Sequence, residues 1–235
     1  VFVVAHPVRT KMAEQLASQV GDDIIWDSDH SGCERTHAKA LHEIARINPR
    51  GDDDGWAVVL EDDAEPVRNF RHQLDAILKV APTPIVSLYL GTGYPTHWQH
   101  ILQTAVNPAH TDPHFLLASE MLSMVGYAVK TKLAPWLADR VERNAKIMCA
   151  DRAVSTVCRE QKLTVAYTRP SIVNHRDTGS LIPTRFDGQP RDKARRAWKF
   201  GSRSEWKPIT VTLDEPKLVR VDERGEWYEV PKAAP

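Results

Sequence analysis

Three consecutive carboxylates, Glu61, Asp62 and Asp63, close the short apolar run that begins at Trp56 in WAVVLEDDAEP. Adjacent carboxylates repel one another unless a cation or hydrogen-bond donors compensate them. Acids one residue apart at a strand end direct two carboxylates into one crevice, where hard divalent cations prefer oxygen ligands. An acidic turn capping the helix that starts near Pro66 is the alternative. A second acidic cluster, Asp52 to Asp54, precedes the same run between Gly51 and Gly55. Ligands of open α/β sheets gather outside the carboxyl ends of the strands. The spacing therefore assigns Asp52 to Asp54 to a solvated loop and leaves Glu61 to Asp63 on the productive edge.

The elements that must position these acids follow from periodicity. Val1 to Ala5, Asp23 to Trp26, Trp56 to Leu60, Pro84 to Leu90, Met124 to Val129 and Leu163 to Tyr167 read as strands. Between them run helical stripes. Met12, Ala13, Leu16, Ala17 and Val20 form one from about Thr10, stopped by Gly21. Cys33, His37, Leu41 and Ile44 form another, and Phe70, Leu74, Ile77 and Leu78 a third, within 67–80. A weaker helix is expected from His97 to Val106, then a His/Pro-rich loop from Asn107 to His114. Thr131 is expected to cap a helix through Arg143 with Leu133, Trp136, Leu137 and Val141 buried, and Asp151 to open one through Glu160. Strands alternating with helices predict an α/β domain with a mixed, mostly parallel sheet covered on both faces.

Lys plus Arg and Asp plus Glu number 31 each among 235 residues, so total charge gives no polyanion binder. Its distribution is uneven. From Arg185 to Lys207 eight basic residues face three acids, with Phe186, Trp198, Phe200 and Trp206 between them. Basic residues interleaved with aromatics suit phosphates and stacked bases, and equally a tail packed on a core. After it, VTLDEPKLVRVDERGEWYEV reads as a terminal hairpin. The three cysteines, Cys33, Cys149 and Cys158, form no C-x-x-C pair, which favours a reducing compartment. No apolar run approaches the roughly 18 residues of a membrane span, so a cytoplasmic location is expected, in the host if the chain is phage-encoded.

Three segments in order, GCERTH from Gly32, LEDDAEP from Leu60 and YTRPSIVNHRD from Tyr167, resemble GT-A fold glycosyltransferases. The closer likeness is to the family 25 type that includes lipopolysaccharide galactosyltransferases, a bacteriophage DNA-modifying member being one form it could take. Thr36 stands where that type has serine. The resemblance spans about 1–182, leaving 183–235 as a basic, aromatic extension packed on the core. It implies transfer of a hexose from a UDP-sugar to an acceptor hydroxyl, with inversion, assisted by Mn(II) or, failing that, Mg(II). It further implies Asp63 as direct metal ligand, Glu61 and Asp62 supporting the metal and the donor ribose, His175 as a ligand from a late loop, and Asp151 as the base. Ala5, His6 and Arg9 would meet the donor's base and phosphates at the end of the first strand. Tyr94, in the loop after Gly91-Thr92-Gly93, is assigned with Arg176, Arg195, Arg196 and Trp198 to the acceptor.

The acceptor that unites both ends of the chain is DNA carrying a 5-hydroxymethylpyrimidine, its base extruded from the duplex; a saccharide or protein hydroxyl is the alternative. Two further classes stay open on the residues alone: a nucleic-acid-binding module, and a zinc hydrolase using His97 and His100 or His110 and His114.

Overall fold

The computed structural model describes residues 1–21, 23–48, 54–107, 111–176, 178, 181, 194–213, 219–221 and 227–229. Eight strands form one sheet: β1 (Phe2–Ala5), β2 (Asp23–Trp26), β3 (Trp56–Glu61), β5 (Ile85–Ser87), β6 (Phe115–Ala118), β7 (Gly126–Lys130), β8 (Val165–Thr168) and β10 (Thr210–Thr212). Their order is β10-β6-β8-β5-β7-β3-β1-β2. Two short strands, β4 (Ala64–Pro66) and β9 (Val173–His175), pair antiparallel with each other, as do β11 (Val219–Val221) and β12 (Trp227–Glu229).

The α/β expectation holds, with a sheet more mixed than alternation alone implies. Four neighbouring pairs run parallel and three antiparallel. The main cause is β7, which enters between β3 and β5 antiparallel to both. β1, β2, β3, β5 and β8 nevertheless point the same way, so their carboxyl ends share one edge. At the opposite edge Asp54 pairs with Lys130 at 2.8 Å and with Lys132 at 3.7 Å. That places Asp54 away from the shared edge, as strand polarity predicts; Asp52 and Asp53 lie outside the described residues.

Alternation along the strands builds two cores. Val4 and Val59 face a layer made by α2 (Cys33–Ile47), α4 (Gln99–Val106), α5 (Ala134–Asn144) and α6 (Ala150–Glu160), with Leu41, Ile44, Leu102, Leu137 and Val154 buried there. Val3, Ala5, Val58 and Leu60 face α1 (Thr10–Val20) and α3 (Phe70–Lys79), against Leu16, Leu74 and Ile77. Each such aliphatic side chain stabilises the fold by about 1.5–3 kcal/mol. α1 stops where its stripe stops, because Gly21 takes φ 72° and its N–H returns to the Ala17 carbonyl. A side chain would be strained in that left-handed geometry, which glycine adopts freely.

Several details depart from the periodic reading. Trp136 is 56% exposed, so the buried stripe of α5 is Leu137, Ala138 and Val141. Thr131 caps no helix; it lies in a 3-10 turn, accepting from Asn48 Nδ2 and donating to the Gly55 carbonyl. Cys149, not Asp151, holds the cap position of α6. VTL of the expected hairpin instead supplies β10, parallel to β6, and the hairpin proper is β11 with β12.

Residues 194–213 strap the sheet edge. Trp198 N–H donates to the Leu90 carbonyl and Ser171 N–H to the Lys199 carbonyl, while Trp206 is buried beside Phe115 and donates to Gln73 Oε1. Asp112 clamps this strap. Its carboxylate accepts from Arg169 Nη1 at 2.5 Å and from Arg203 Nη1 and Nη2 at 2.6 and 2.9 Å. Those bonds hold the Asp112 carboxyl below its ordinary 3.8. A depressed folded pKa contributes stability that is complete above the unfolded value and disappears as pH falls through the folded one. Asp112→Asn should therefore lower the melting temperature at neutral pH, and parallel melts should show the two proteins converging as pH drops from about 4 toward about 2. A gap that persists undiminished through that range would show that Asp112 acts without its charge.

Candidate functional site

The site grows from the ends of β1 and β3. Past Glu61 the chain turns, so Asp62 and Asp63 are no longer paired in the sheet and are buried at its edge. β1 ends beside them, and the His6 N–H donates to Asp62 Oδ2 at 2.9 Å. His6 then starts a 3-10 turn, its Nδ1 accepting from the Val8 N–H. That turn carries Arg9 back over the acids. Arg9 Nη1 donates to Asp62 Oδ1 at 2.8 Å and to Asp63 Oδ2 at 2.5 Å.

His175 arrives from the other side. It was expected on a loop, but it ends β9, whose pairing with β4 sets Ala64 opposite His175. This register brings His175 Nε2 to 3.3 Å from Asp63 Oδ2, both groups fully buried or nearly so. The Arg176 N–H donates to the Asp63 carbonyl at 3.0 Å.

The two aspartates titrate in opposite directions. Burial dominates at Asp62 and raises its carboxyl, although the His6 N–H and Arg9 oppose it. At Asp63 burial also pushes upward, but the bond and charge of His175 and the charge of Arg9 outweigh it and hold the carboxyl at about 2. Asp63 is thus the permanent anion of the pair. Among the described residues its Oδ1 is buried with no hydrogen-bond partner. A buried carboxylate oxygen left without a partner carries a desolvation cost that an ion or ligand group would remove.

Glu61 leaves this group. Strand alternation turns it to the α2 face, where Oε1 lies 3.3 Å from His37 Nε2 and 3.8 Å from Cys33 Sγ. Glu61, Asp63 and His175 therefore do not form one ligand set. Glu61, His37 and Cys33 are the only three-residue group of metal-ligating type among the described residues. Asp151, in the first turn of α6, accepts from the Arg152 N–H and acts electrostatically on Glu34. It thus stands on the α2 side with Glu61.

Four residues assigned to the acceptor come together, although more than 90 positions separate them in sequence. Gly91 bridges Ala197, and the Thr92 N–H donates to the Arg196 carbonyl, so Tyr94, Arg195, Arg196 and Trp198 share one margin. Tyr89 and Asn174 join that margin to the acids, and periodicity gave no sign of either. The Tyr89 hydroxyl donates to the Arg195 carbonyl, its ring centroid lies 6.5 Å from that of His175, and Asn174 Oδ1 accepts from the Ala197 N–H. Of the basic segment, Arg203 is committed to Asp112 and Trp206 to the core, which removes both from any outward surface. Arg196, Lys199 and Phe200 remain exposed; Arg185, Phe186, Arg191 and Lys193 lie outside the described residues. His114, one of the alternative zinc ligands, accepts the Lys207 N–H and packs edge-on against Trp206; His110 is outside the described residues.

Two substitutions test this construction. A Cβ at Gly91 would lie 2.0 Å from the Tyr89 hydroxyl oxygen, so Gly91→Ala should displace the ring and cost about 1–3 kcal/mol in urea unfolding. Arg9→Gln leaves two buried carboxylates facing each other and should cost about 3 kcal/mol by the same measurement. A change below about 0.5 kcal/mol would show that the guanidinium is not what holds the acids together. The chain matches no protein-family model and no curated protein sequence.

Proposed function

We propose that the protein is a metal-dependent glycosyltransferase that moves a sugar from a nucleotide diphosphate donor to an acceptor hydroxyl. The observation that carries this reading is the buried Asp63 and His175 pair, with Asp63 Oδ1 unsatisfied, at the shared carboxyl edge beside Arg9. His175 Nε2 lies 3.3 Å from Oδ2 of the same carboxylate, so the imidazole and the unpartnered Oδ1 suit positions around one hard divalent ion such as Mn(II). When bound, such an ion would act as a Lewis acid on the departing diphosphate.

The chain's own groups would share the remaining tasks. Asp63 and His175 would hold the cation, Asp63 as a carboxylate whose pKa is lowered to about 2. Asp62 fixes the His6 backbone and Arg9, whose guanidinium lies where a diphosphate at the end of β1 would need a positive partner. Ala5, His6 and Arg9 thus remain the donor side. Asp151 is the acid assigned to take the acceptor proton as the hydroxyl attacks.

An anionic acceptor is favoured by the exposure of Arg196, Lys199 and Phe200 on the margin that holds Tyr94. DNA bearing hydroxymethylpyrimidines has that chemistry, and its binding would weaken steeply with salt. Saccharide and protein hydroxyls are the comparison arms.

A mass-spectrometric donor screen with manganese, run over hydroxymethylated DNA, saccharides and peptides, should yield one acceptor heavier by a sugar residue. Chelator should abolish the product. Asp63→Ala and His175→Ala, each folded by circular dichroism, should lower turnover by at least about 100-fold, the upper range seen even for outer-shell metal partners. No turnover of any nucleotide sugar, or turnover indifferent to chelator and to both substitutions, would sink the reading.

A further inference from the structure

The cluster around Glu61 has a donor chemistry different from that of Asp63 and His175. We propose that Cys33, His37 and Glu61 form a second, sulfur-containing site for a divalent transition-metal ion of the zinc class.

The sequence places two of the ligands and the fold supplies the third. Cys33 and His37 are four residues apart in α2, so they lie one above the other on a single helix face. That face meets the end of β3, where alternation delivers Glu61. The three ligand atoms lie within 4.8 Å of one another. A tetrahedral ion with usual zinc bond lengths would set nitrogen and oxygen about 3.4 Å apart and sulfur and oxygen about 3.6 Å apart. The observed separations are 3.3 Å for His37 Nε2 to Glu61 Oε1 and 3.8 Å for Cys33 Sγ to Glu61 Oε1. Two of the three separations thus match those around an ion, and the third, between Cys33 and His37, lies within 4.8 Å.

The surroundings resemble those of bound imidazoles generally. The ring nitrogen remote from the metal usually meets a polar partner that fixes tautomer and orientation. His37 Nδ1 lies 3.3 Å from the Tyr127 hydroxyl, inside the core, with both side chains buried. With the proton on Nδ1, Nε2 presents its lone pair to a carboxylate, an arrangement that a cation between them would make favourable. The carboxyl groups of Glu34 and Asp151 stand in the same neighbourhood. The Glu61 side chain is 23% exposed, so three protein ligands would leave one coordination position toward the crevice.

Sulfur distinguishes this site experimentally, because Asp63 and His175 contain none. The full chain, stripped by chelator, should develop with cobalt(II) a near-ultraviolet thiolate-to-cobalt absorption that corresponds to one cobalt per chain and that zinc displaces and manganese does not. Cys33→Ser should lose that band while keeping its far-ultraviolet circular dichroism. Tyr127→Phe removes only the hydroxyl and should weaken zinc binding by about 10-fold in competition titrations. No band in the native protein, or a band that survives Cys33→Ser, overturns the site and leaves a hydrogen-bonded tie between α2 and β3. Should Cys33→Ser fail to fold, an unchanged zinc affinity in Tyr127→Phe overturns it instead. Either result leaves the glycosyltransferase reading standing, since that reading rests on other ligands.

Discussion

The constraint on which the rest of the structure depends is the neutralisation of Asp62 and Asp63 by Arg9. Two adjacent carboxylates buried at a sheet edge are tolerable only with positive charge and donors at contact distance. Arg9 supplies the charge to both, and the His6 N–H supplies a donor to Asp62. This requirement fixes the chain after β1: it must turn within three residues to return Arg9 to the acids, and the 3-10 turn from Pro7 to Arg9 does that. α1 then begins at Thr10 with its orientation already set. The same charge pair thus ties the first helix to the third strand before any apolar contact is counted.

A second consequence is the division of the acidic run into separate chemistries. In a strand, neighbouring side chains face opposite sides of the sheet, so three consecutive acids cannot all serve one ion while the strand continues. β3 continues through Glu61 and then stops. Glu61 therefore keeps the face of Val59 and meets α2, whereas Asp62 and Asp63, released from the ladder, turn toward β1 and β9. Opposite shifts at Asp62 and Asp63 follow from the same geometry. His175 bonds the second, and that bond together with Arg9 holds its carboxyl down, whereas burial draws its neighbour's up.

Much of this was legible in the sequence, and the remainder was hidden for identifiable reasons. Helices with a wide apolar stripe, such as α1 and α2, were readable to within a residue or two, because 3.6-residue periodicity persists over several turns. The productive edge followed from strand polarity. β4 and β9 were not readable, since three residues between turns carry too little alternation to be distinguished from a loop, and β10, legible as a strand, gave no sign of its partner β6. FLLA at 115–118 lacked alternation and followed a His/Pro-rich stretch, which masked β6. The destination of Glu61 was missed although its signal was present: counting alternation back from Val59 and Leu60 would have placed it with His37. Tyr89 could have been found through Gly91, whose missing side chain is needed by the ring that crosses it.

The strap from 194 to 213 explains why the two ends of the chain act on one edge. Backbone pairing with Gly91, Leu90 and Ser171 holds it in register, and Trp206 with Gln73 and Asp112 with Arg203 anchor it beyond the edge. Arg203 and Trp206 are spent on this anchorage. Arg203, whose two terminal nitrogens both bond the one carboxylate of Asp112, contributes little to binding an external anion, because that bidentate pairing must be broken first. Count of charge in a segment therefore overstates its surface. What remains outward, Arg196, Lys199 and Phe200, lies beside the Tyr89 and Asn174 contacts that lead to His175. Under the proposed function, an acceptor gripped by those side chains would be held from the margin of the acidic edge, with the donor beside His6 and Arg9. The short ribbon of β4 and β9 links the two regions, since it carries Asn174 toward the strap and His175 toward Asp63 from consecutive residues.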